Sequence, residues 1–492
     1  MESQPKEDYE SLKKRLEERD QGHIFKYYEE YTEDEKEAFL DQLREIDFDQ
    51  MENLYKEVCL KKHEDSKEEK IEPLDRESVH TFSKLDQETK DKWRLRGAQQ
   101  LVKGTVGLMI LAGGMGSRLG SSDPKGMYNI GLPSKKSLFQ IIAERFLRAQ
   151  AYSAEICQKA GENCAPRKNC MFYVMVSGVN DVATINFFEE NDYFGIPEEK
   201  VYFFKQSMLP TLSFEGKLQF ETRMQVSTGP NGNGALFDSL RNDQGLKDSL
   251  KDNGVEFVHL VGVDNCLNKF IDPLQVGMTY ENKLKGSAKF IQKKYPKEEI
   301  GVFVKKNDKL DLIEYSELGD EMAEETFEDG VLKYNQGNII NFLMEVETLN
   351  NLVNEKADAL DGLYHRAIKK IPEYNEENDT SEKPTEENGY KLELFVHSFL
   401  SYVEGAFEMI EGIREEEFAP VKNKEGESKD SPTTAREMIS KLHHSWIKKT
   451  LPDSLPSVVP SHEAVVELPF DQTYEGENIT ESMIPNSVNE ST

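Results

Sequence analysis

The middle of the chain alternates short apolar runs with amphipathic stretches. The runs at 106–111, 171–176 and 255–263 are mostly apolar, as in strands that a parallel sheet buries on both faces. The stretch that opens with Ser137, a suitable helix N-cap, instead repeats its apolar residues at helical spacing. This alternation predicts an α/β fold with a doubly wound, mostly parallel central sheet.

The two ends of the chain have other patterns. The first residues are highly charged, and a capping-box pattern there precedes apolar residues at helical spacing. We predict a helical N-terminal domain at 1–95, a central α/β domain at 96–405, and a C-terminal domain with an acidic tail at 406–492. We also predict a hairpin within 301–315 and a long helix over 391–412.

A glycine-rich loop ends the first apolar run. Gly113, Gly114 and Gly116 let the backbone turn sharply and approach a ligand closely. The N–H groups that such a loop exposes form a concavity that binds anions. Arg118 and Lys125 add two positive charges, one suited to bidentate phosphate contact and the other a mobile point charge. We therefore predict a site for several phosphate groups at the carboxyl end of a strand.

Several common enzyme motifs are absent from the sequence. The glycine loop matches neither G-x-x-x-x-G-K-[ST] nor G-x-G-x-x-G, which argues against a P-loop kinase and a Rossmann dehydrogenase. No H-E-x-x-H or G-x-S-x-G occurs, which argues against the corresponding metalloproteases and serine hydrolases.

The charge balance narrows the choice of partners. The formal net charge is −31, which argues against nucleic acid and anionic membranes as partners. A polyanionic substrate must then be held by local lysines and arginines. The sequence has no signal-peptide pattern, no apolar run of about 18 residues, and five cysteines without a C-x-x-C pair. We expect a cytoplasmic protein with reduced thiols.

Residues 111–128 read L-A-G-G-M-G-S-R-L-G-S-S-D-P-K-G-M-Y. This stretch resembles the signature of the eukaryotic UDP-N-acetylhexosamine (UDP-N-acetylglucosamine) pyrophosphorylases, L-A-G-G-x-G-[TS]-R-L-G-x-x-x-P-K-G-M-Y, without a gap. The related UDP-glucose pyrophosphorylases have Asn in place of the alanine and no arginine at the matching place. The likeness covers roughly residues 25 to 450 and is strongest at 108–140.

The resemblance implies a Rossmann-like nucleotidyltransferase with a helical N-terminal lobe and a small C-terminal lobe. The implied substrates are UTP and an N-acetylhexosamine 1-phosphate, which give UDP-N-acetylglucosamine and pyrophosphate in a reversible reaction with Mg²⁺ or Mn²⁺. The attacking phosphate oxygen is already ionised, so catalysis requires positioning and charge neutralisation rather than a general base. This agrees with motifs that offer Gly, Lys, Arg, Asp and Asn.

The resemblance also implies the residues that bind the nucleotide. Catalytic charges are expected at Arg118, Lys125 and Lys422. Nucleotide contacts are expected at Leu111, Ala112, Gly113, Gly114, Lys125, Gln206, Gly232, Asp264 and Lys391. Gln206 would read the uracil edge, because an amide both donates and accepts hydrogen bonds.

Asp264 is the metal candidate, since it ends an apolar run where a carboxylate can hold Mg²⁺ against phosphates. A simple turn-capping role for Asp264 is the alternative. Sugar contacts implied by the resemblance are Asn233, Gly301, Glu314, Tyr315 and Asn338. A glycine at 301 would leave room for the N-acetyl group.

Two other functions stay open at this point. A broad-specificity UDP-sugar pyrophosphorylase would use the same motifs, and assays with several sugar 1-phosphates would distinguish it. A catalytically inactive nucleotide-sugar sensor is the other alternative, although intact Arg118, Lys125, Asp264 and Lys422 speak against it. The oligomeric state is left open.

Overall fold

The computed structural model describes residues 7–60, 70–162, 169–355, 363–403, 405–452 and 465–484. These residues form two compact units, and strands and helices are numbered here along the whole chain. The described residues of Met1–Glu68, Gln206–Asp238 and Val353–Ser398 form the first unit. Those of Glu69–Lys205, Ser239–Leu352 and Phe399–Thr492 form the second. The predicted boundaries after residues 95 and 405 stay a prediction.

The first unit combines three helices with short antiparallel strands. Its helices are α1 (Tyr9–Glu18), α2 (Glu33–Arg44) and α3 (Phe48–Leu54). Its strands are β6 (Met208–Pro210), β7 (Leu212–Ser213), β8 (Phe220–Thr222), β9 (Gln225–Val226), β10 (Thr228–Pro230), β16 (His365–Lys369), β17 (Glu373–Asn375), β18 (Thr380–Glu382) and β19 (Gly389–Glu393). Strand β19 lies between β16 and β7, and β6 pairs with β10.

The second unit contains the central sheet. Its strands in spatial order are β2 (Val79–Thr81), β20 (Phe407–Glu411), β12 (Gly286–Gln292), β15 (Gln336–Glu345), β11 (Phe257–Gly262), β3 (Val106–Leu111), β4 (Phe172–Val176) and β5 (Val201–Lys205). All neighbours run parallel except β15, which is antiparallel to both β12 and β11. The predicted mostly parallel sheet is confirmed.

The predicted hairpin is also present beside this sheet. Strands β13 (Val302–Lys306) and β14 (Lys309–Ile313) pair across a turn at Asn307 and Asp308. Both turn residues have positive φ, which Asn and Asp tolerate better than most residues. On the edge opposite β14, strand β13 contacts β15 through Val302 and pairs with β1 (Ile71–Pro73) through residues 304–306.

Helices flank the sheet. They are α4 (Gln87–Lys103), α5 (Leu138–Lys159), α6 (Asp181–Glu190), α7 (Leu236–Asn242), α8 (Gln244–Asp252), α9 (Pro273–Glu281), α10 (Asp320–Glu324), α11 (Val346–Glu355), α12 (Arg414–Glu417) and α13 (Pro432–Thr450). Ser137 caps α5 as predicted, because its Oγ accepts the Gln140 N–H at 3.2 Å. Fully buried side chains of β3, β4 and α5, such as Ile110, Phe172 and Phe146, share one core.

Two predicted helical stretches contain other structure. Strands β1 and β2 lie within the stretch 1–95. The long helix predicted over 391–412 is wrong, because β19, a short 3-10 helix (Val396–Tyr402) and β20 occupy that region. Leu392, Leu394 and Val396 are buried while the residues between them are partly exposed. That period of two is a strand pattern, and it was the signal that the helix prediction overlooked.

Two other expectations concern the thiols and the membrane. Cys59, Cys157, Cys170 and Cys266 are free and buried, whereas Cys164 lies outside the described residues. No helix in the described part of the chain has both the length and the apolar character needed to cross a bilayer.

Candidate active site

The glycine loop leaves the sheet with its carbonyl groups already bonded. Asn180 Nδ2 donates to the carbonyls of Ala112 (2.9 Å) and Gly114 (3.4 Å), and Ser177 Oγ donates to that of Gly113 (2.8 Å). The N–H groups of Gly113 and Gly114, in contrast, have no acceptor among the residues that the structure describes. A Cβ on Gly114 would meet nothing within 4 Å. The loop therefore presents free backbone donors, as an anion-binding concavity requires.

Sheet order explains this arrangement. Strand β3 ends at Leu111, between parallel neighbours β4 and β11, and its buried side chains leave no freedom in its register. Ser177 and Asn180 follow the end of β4, so they lie at the same edge of the sheet. The sequence reasoning missed both residues. Their place just after the second apolar run was the available signal, because ligands bind at the carboxyl ends of parallel strands.

The loop then folds back so that Lys125 returns to its start. The Lys125 N–H donates to the Gly114 carbonyl at 3.1 Å, and the Gly116 N–H donates to the Asp123 backbone carbonyl at 2.9 Å. Between them, Arg118 lies in a short 3-10 helix and is exposed. Its guanidinium has no hydrogen-bond or ion-pair partner within the described ranges. Arg118 is thus free to meet an anionic ligand near the glycine backbone.

Asp264 lies where β11, the other neighbour of β3, has ended. The Lys125 Nζ is 3.4 Å from the Asp264 Oδ2, and both side chains are about four-fifths buried, with 19% and 21% of their surfaces exposed. Burial acts to raise the pKa of Asp264, but the positive charges of Lys125 and Lys422 outweigh it and lower the pKa below its usual value. Asp264 is therefore an ionised carboxylate at neutral pH.

Lys422 reaches the same place from the C-terminal part of the chain. The preceding residue, Val421, donates its N–H to the Asp264 carbonyl at 2.9 Å. The Lys422 side chain is partly exposed, and its ammonium forms no ion pair with any described residue. The structure thus brings Lys125 and Lys422 close enough to Asp264 for both charges to act on its carboxylate.

Four of the predicted sugar residues lie together at β13, β14 and β15. The Asn338 N–H donates to the Gly301 carbonyl at 2.8 Å. A Cβ on Gly301 would lie 2.9 Å from Leu312 Cδ2 and 3.3 Å from Glu314 Oε2. Tyr315 follows with half of its surface exposed. Gly301 is therefore tightly packed against an apolar carbon of Leu312 and a carboxylate oxygen of Glu314, which leaves no room for a Cβ.

Asn338 begins an irregular part of β15. Its Oδ1 accepts the Ile340 N–H at 2.9 Å, and Ile340 has φ +50°, a left-handed conformation that is costly for a β-branched residue. A Cβ on Gly262 would lie 2.9 Å from Asp264 Oδ1 and 3.7 Å from Ile340 Cδ1. The Ile340 and Asp264 side chains thus lie close to the same point beside Gly262. Backbone strain of this kind is often maintained at functional sites.

The remaining predicted residues are in the first unit. Gly232 has φ +78° and ψ 179°, a conformation open essentially to glycine, and a Cβ there would lie 2.5 Å from the Leu394 carbonyl oxygen. Asn233 next to it accepts the Val396 N–H through Oδ1 at 2.8 Å. That bond uses the Asn233 Oδ1, and the Nδ2 of the same amide has no acceptor among the described residues.

Gln206 and Lys391 are the other two members of this group. Gln206 is 6% exposed, and its side-chain amide forms no hydrogen bond to the described residues. Lys391 packs its stem on Gly229 and forms an ion pair with Glu393 at 2.6 Å. The structure therefore gives Lys391 a protein partner, which the sequence did not predict.

Known proteins are similar to this chain in sequence and in fold. The model of the UTP–glucose-1-phosphate uridylyltransferase family matches residues 48–428. UDP-N-acetylglucosamine diphosphorylase 2 of Arabidopsis thaliana is 34% identical over 478 residues, covering 96% of this chain and 91% of that protein. The chain belongs to the UDP-N-acetylglucosamine pyrophosphorylase family. The UDP-N-acetylglucosamine pyrophosphorylase of Saccharomyces cerevisiae, also a relative, is 35% identical over 413 residues, covering 84% of this chain and 82% of that protein.

Solved structures agree with the family assignment. A crystal structure of the family's Trypanosoma brucei enzyme, determined with an inhibitor, has a TM-score of 0.81 and 29% identity. The likeness covers 96% of this chain and 94% of that one. A UDP-glucose pyrophosphorylase from Leishmania major has a TM-score of 0.56 at 15% identity, covering 88% of this chain and 78% of that one. That second likeness shows a shared fold.

Asp264 could supply one protein ligand to a metal ion whose other ligands come mostly from the substrate. Across the described ranges no group of three or more His, Cys, Asp or Glu side chains could hold a metal ion. Mg²⁺ is often bound by one or two carboxylates together with substrate phosphates and water. The ionised Asp264 carboxylate could supply one oxygen ligand to such a cation, and the backbone N–H groups and lysines beside it suit the phosphate oxygens that would supply others.

Proposed function

We propose that this protein is a uridylyltransferase that joins UTP and N-acetylglucosamine 1-phosphate to give UDP-N-acetylglucosamine and pyrophosphate. The observation that carries the proposal is the pair of free N–H groups at Gly113 and Gly114, next to Lys125 and Asp264, in a chain of this family. Free donors and cations at the end of a central strand suit a triphosphate. That the nucleotide is UTP and that the sugar is N-acetylglucosamine are inferred from the family.

The reaction needs no proton transfer. A phosphate oxygen of the sugar phosphate attacks the α-phosphorus of UTP, and a new P–O bond forms. The bond from that phosphorus to the bridging oxygen breaks, and its electron pair leaves with pyrophosphate. Gly113 and Gly114 donate hydrogen bonds to phosphate oxygens. Arg118, Lys125 and Lys422 neutralise the charge that develops on them, so catalysis is positioning plus electrostatics.

Asp264 is proposed to hold Mg²⁺ or Mn²⁺ together with the phosphates. When bound, such a cation withdraws charge from phosphate oxygens and orients them. The lowered pKa of Asp264 supports this role, because only the ionised carboxylate binds a hard cation well.

Nucleotide and sugar recognition are proposed residue by residue. Gln206, a buried amide without a described partner, would read the uracil edge. Leu111, Ala112, Gly232 and Lys391 complete the proposed nucleotide contacts. The proposed sugar contacts are Asn233, Gly301, Glu314, Tyr315 and Asn338.

The proposed setting is the cytoplasm, with no nucleic-acid or membrane partner. The net charge of −31 supports the absence of those two partners, because nucleic acids and most membrane surfaces are also negatively charged. The substrates are then the only proposed partners.

One assay tests the function. Pyrophosphate release is measured from UTP with the 1-phosphates of N-acetylglucosamine, N-acetylgalactosamine and glucose. We expect N-acetylglucosamine 1-phosphate to be preferred and glucose 1-phosphate to be used slowly. Equal use of all three would favour a broad UDP-sugar pyrophosphorylase. Binding of the nucleotide sugar without turnover of any of them would favour a sensor.

A further inference from the structure

Two distant parts of the chain meet beneath the phosphate site. The loop after β11 carries Asp264, and the segment after α12 carries Lys422. The Val421 N–H donates to the Asp264 carbonyl at 2.9 Å, and Asn265 pairs with Pro420 as an isolated β-bridge. The position of the lysine relative to the carboxylate therefore depends on how these two segments are joined.

The Asn265 side chain adds two hydrogen bonds to the backbone bonds of that joint. Its Nδ2 donates to the Glu417 carbonyl at 2.7 Å, and its Oδ1 accepts the Ala419 N–H at 2.9 Å. The same Oδ1 accepts the Leu267 N–H at 3.3 Å. The residue is 2% exposed. The buried Asn265 side chain thus bonds to Glu417 and Ala419 in the segment before Lys422, and to Leu267 in its own loop.

A buried ion network holds the start of the same segment. The Lys289 Nζ is 2.6 Å from Glu417 Oε2 and 2.5 Å from Asp272 Oδ2. All three side chains are nearly fully buried. Asp272 also caps α9 through the Leu274 N–H at 3.0 Å. Glu417 is therefore anchored to the sheet and to α9, and Asn265 extends the anchor to the residues that lead to Lys422.

We propose that Asn265 is a positioning residue that sets Lys422 against Asp264. The role rests on the proposed function, in which Lys422 neutralises phosphate charge. Asn265 itself faces protein groups, so it acts through Lys422 rather than on substrate. Loss of its amide leaves the Glu417 carbonyl and the Ala419 N–H without their partner, and the segment shifts. Misplacement of a catalytic group by about 1 Å can cost up to 10²-fold in rate.

Hydrogen exchange tests the joint without substrate. In the wild type, the amides of Ala419 and Val421 should exchange slowly. In Asn265→Ala both should exchange about tenfold faster or more, because their segment opens more often. The Ile271 amide, which donates to His259 Nδ1 at 2.8 Å in the same unit, is the internal control. Fast exchange of Ala419 and Val421 in the wild type, or no change in the variant, would overturn the proposal.

A double-mutant cycle tests the action through Lys422. We expect Asn265→Ala to lower kcat about tenfold with little change in KM for UTP. In a Lys422→Ala background the same change should lower kcat by less than about twofold, since the group to be positioned is gone. Equal fold-losses in the two backgrounds would overturn the role.

Asn268→Ala is the matched control. Asn268 is as buried as Asn265 and three residues further on, but its side chain contacts Asn341 rather than the segment before Lys422. Its effect should be the same in both backgrounds. If Asn265→Ala does not fold, Asn265→Ser keeps a polar atom too short to bridge both partners and replaces it in the cycle.

The positioning role and the proposed function can fail separately. If the wild type releases pyrophosphate but the double-mutant cycle is additive, the positioning role of Asn265 is wrong and the proposed function is unaffected. If the wild type releases no pyrophosphate, the proposed function is wrong and so is the kinetic role of Asn265. The hydrogen-exchange experiment would then still report on the joint between the two segments.

Discussion

Lys125 and Asp264, which are 139 residues apart in the chain, place Nζ and Oδ2 3.4 Å apart. The Asp264 carboxylate partly neutralises the positive charge of Lys125, the lysine that is proposed to bind phosphate oxygens. Lys125 is also the main group that lowers the pKa of Asp264, against burial, which acts to raise it. The pair therefore links the phosphate site to the metal candidate.

Removal of a loop cation should reduce turnover strongly. We expect Lys125→Ala and Arg118→Ala each to lower kcat/KM about 10²-fold or more, as loss of one transition-state donor typically does. Neither change should lower Tm much, since Arg118 is exposed and the side chain of Lys125, although about four-fifths buried, makes only a 3.4 Å contact with Asp264. Steady-state kinetics and thermal melts measure both effects. The exposed Lys449 at the end of α13 is the control, and an Arg118→Ala or Lys125→Ala variant that stays as active as Lys449→Ala does not lose a phosphate contact.

Asp264→Asn should abolish metal-dependent turnover. The amide keeps the shape of the side chain but loses the anionic oxygen that a hard cation prefers. Activity is measured against Mg²⁺ and Mn²⁺ concentration. The control is Asp123→Asn, which removes an exposed carboxylate from the neighbouring loop. Full wild-type activity in excess chelator would refute the metal requirement.

Gln206→Ala should weaken selection of the base. The amide is buried and can pair with both the donor and the acceptor on uracil, so its loss leaves that edge unpaired. We expect UTP to be strongly preferred by the wild type, and the ratio of kcat/KM for UTP to that for CTP to fall by about tenfold or more in the variant. Equal turnover of UTP and CTP by the wild type contradicts the assignment of Gln206.

Gly301→Ala should penalise the larger sugar. The added methyl group would lie 2.9 Å from Leu312 Cδ2 and 3.3 Å from Glu314 Oε2, so these side chains must shift, and Glu314 is a proposed sugar contact. We expect kcat/KM for N-acetylglucosamine 1-phosphate to fall about tenfold, and that for glucose 1-phosphate to fall less. The KM for UTP in the same variant is the internal control. An equal fall for both sugars places Gly301 outside the sugar contact.

Acid should destabilise the protein through His259. Its Nδ1 accepts the Ile271 N–H at 2.8 Å, so the neutral ring donates from Nε2 to Asn341 Oδ1 at 2.9 Å. Burial lowers the pKa of His259 from 6.5 to about 4. Between those two values the unfolded chain binds the extra proton and the folded chain does not, so stability falls as pH falls. This one residue contributes about 2 kcal/mol of that loss between pH 7 and pH 5.

The measurement is the free energy of unfolding in urea at pH 7 and pH 5, for the wild type and for His259→Gln. Protonation of surface carboxylates relieves self-repulsion in so acidic a chain and works in the opposite direction. The difference between the two proteins isolates the histidine. The assignment fails if both proteins lose the same stability between the two pH values.

Sequence patterns predicted the parts of this molecule that depend on neighbouring residues. A run of apolar residues such as 106–111 predicts its strand, and Ser137 before a helical repeat predicts the start of α5. The glycines at 113 and 114 follow that strand directly, so their exposure of backbone N–H groups was also accessible. The helix predicted over 391–412 failed for a local reason too, since its period of two was present and was read wrongly.

Only the tertiary structure decided what meets at the site. Sheet order places β11 beside β3, and nothing in either strand's own sequence says so, because buried apolar runs are interchangeable as neighbours. The same order brings Asp264 to Lys125, and it brings Ser177 and Asn180 to the carbonyls of the glycine loop. Likewise, the joint through Asn265 depends on a segment more than 150 residues away, whose position is set by the packing of the intervening chain. Local pattern determines which backbone conformation a residue takes, whereas a site is a set of long-range distances, and those are set by how the buried faces pack.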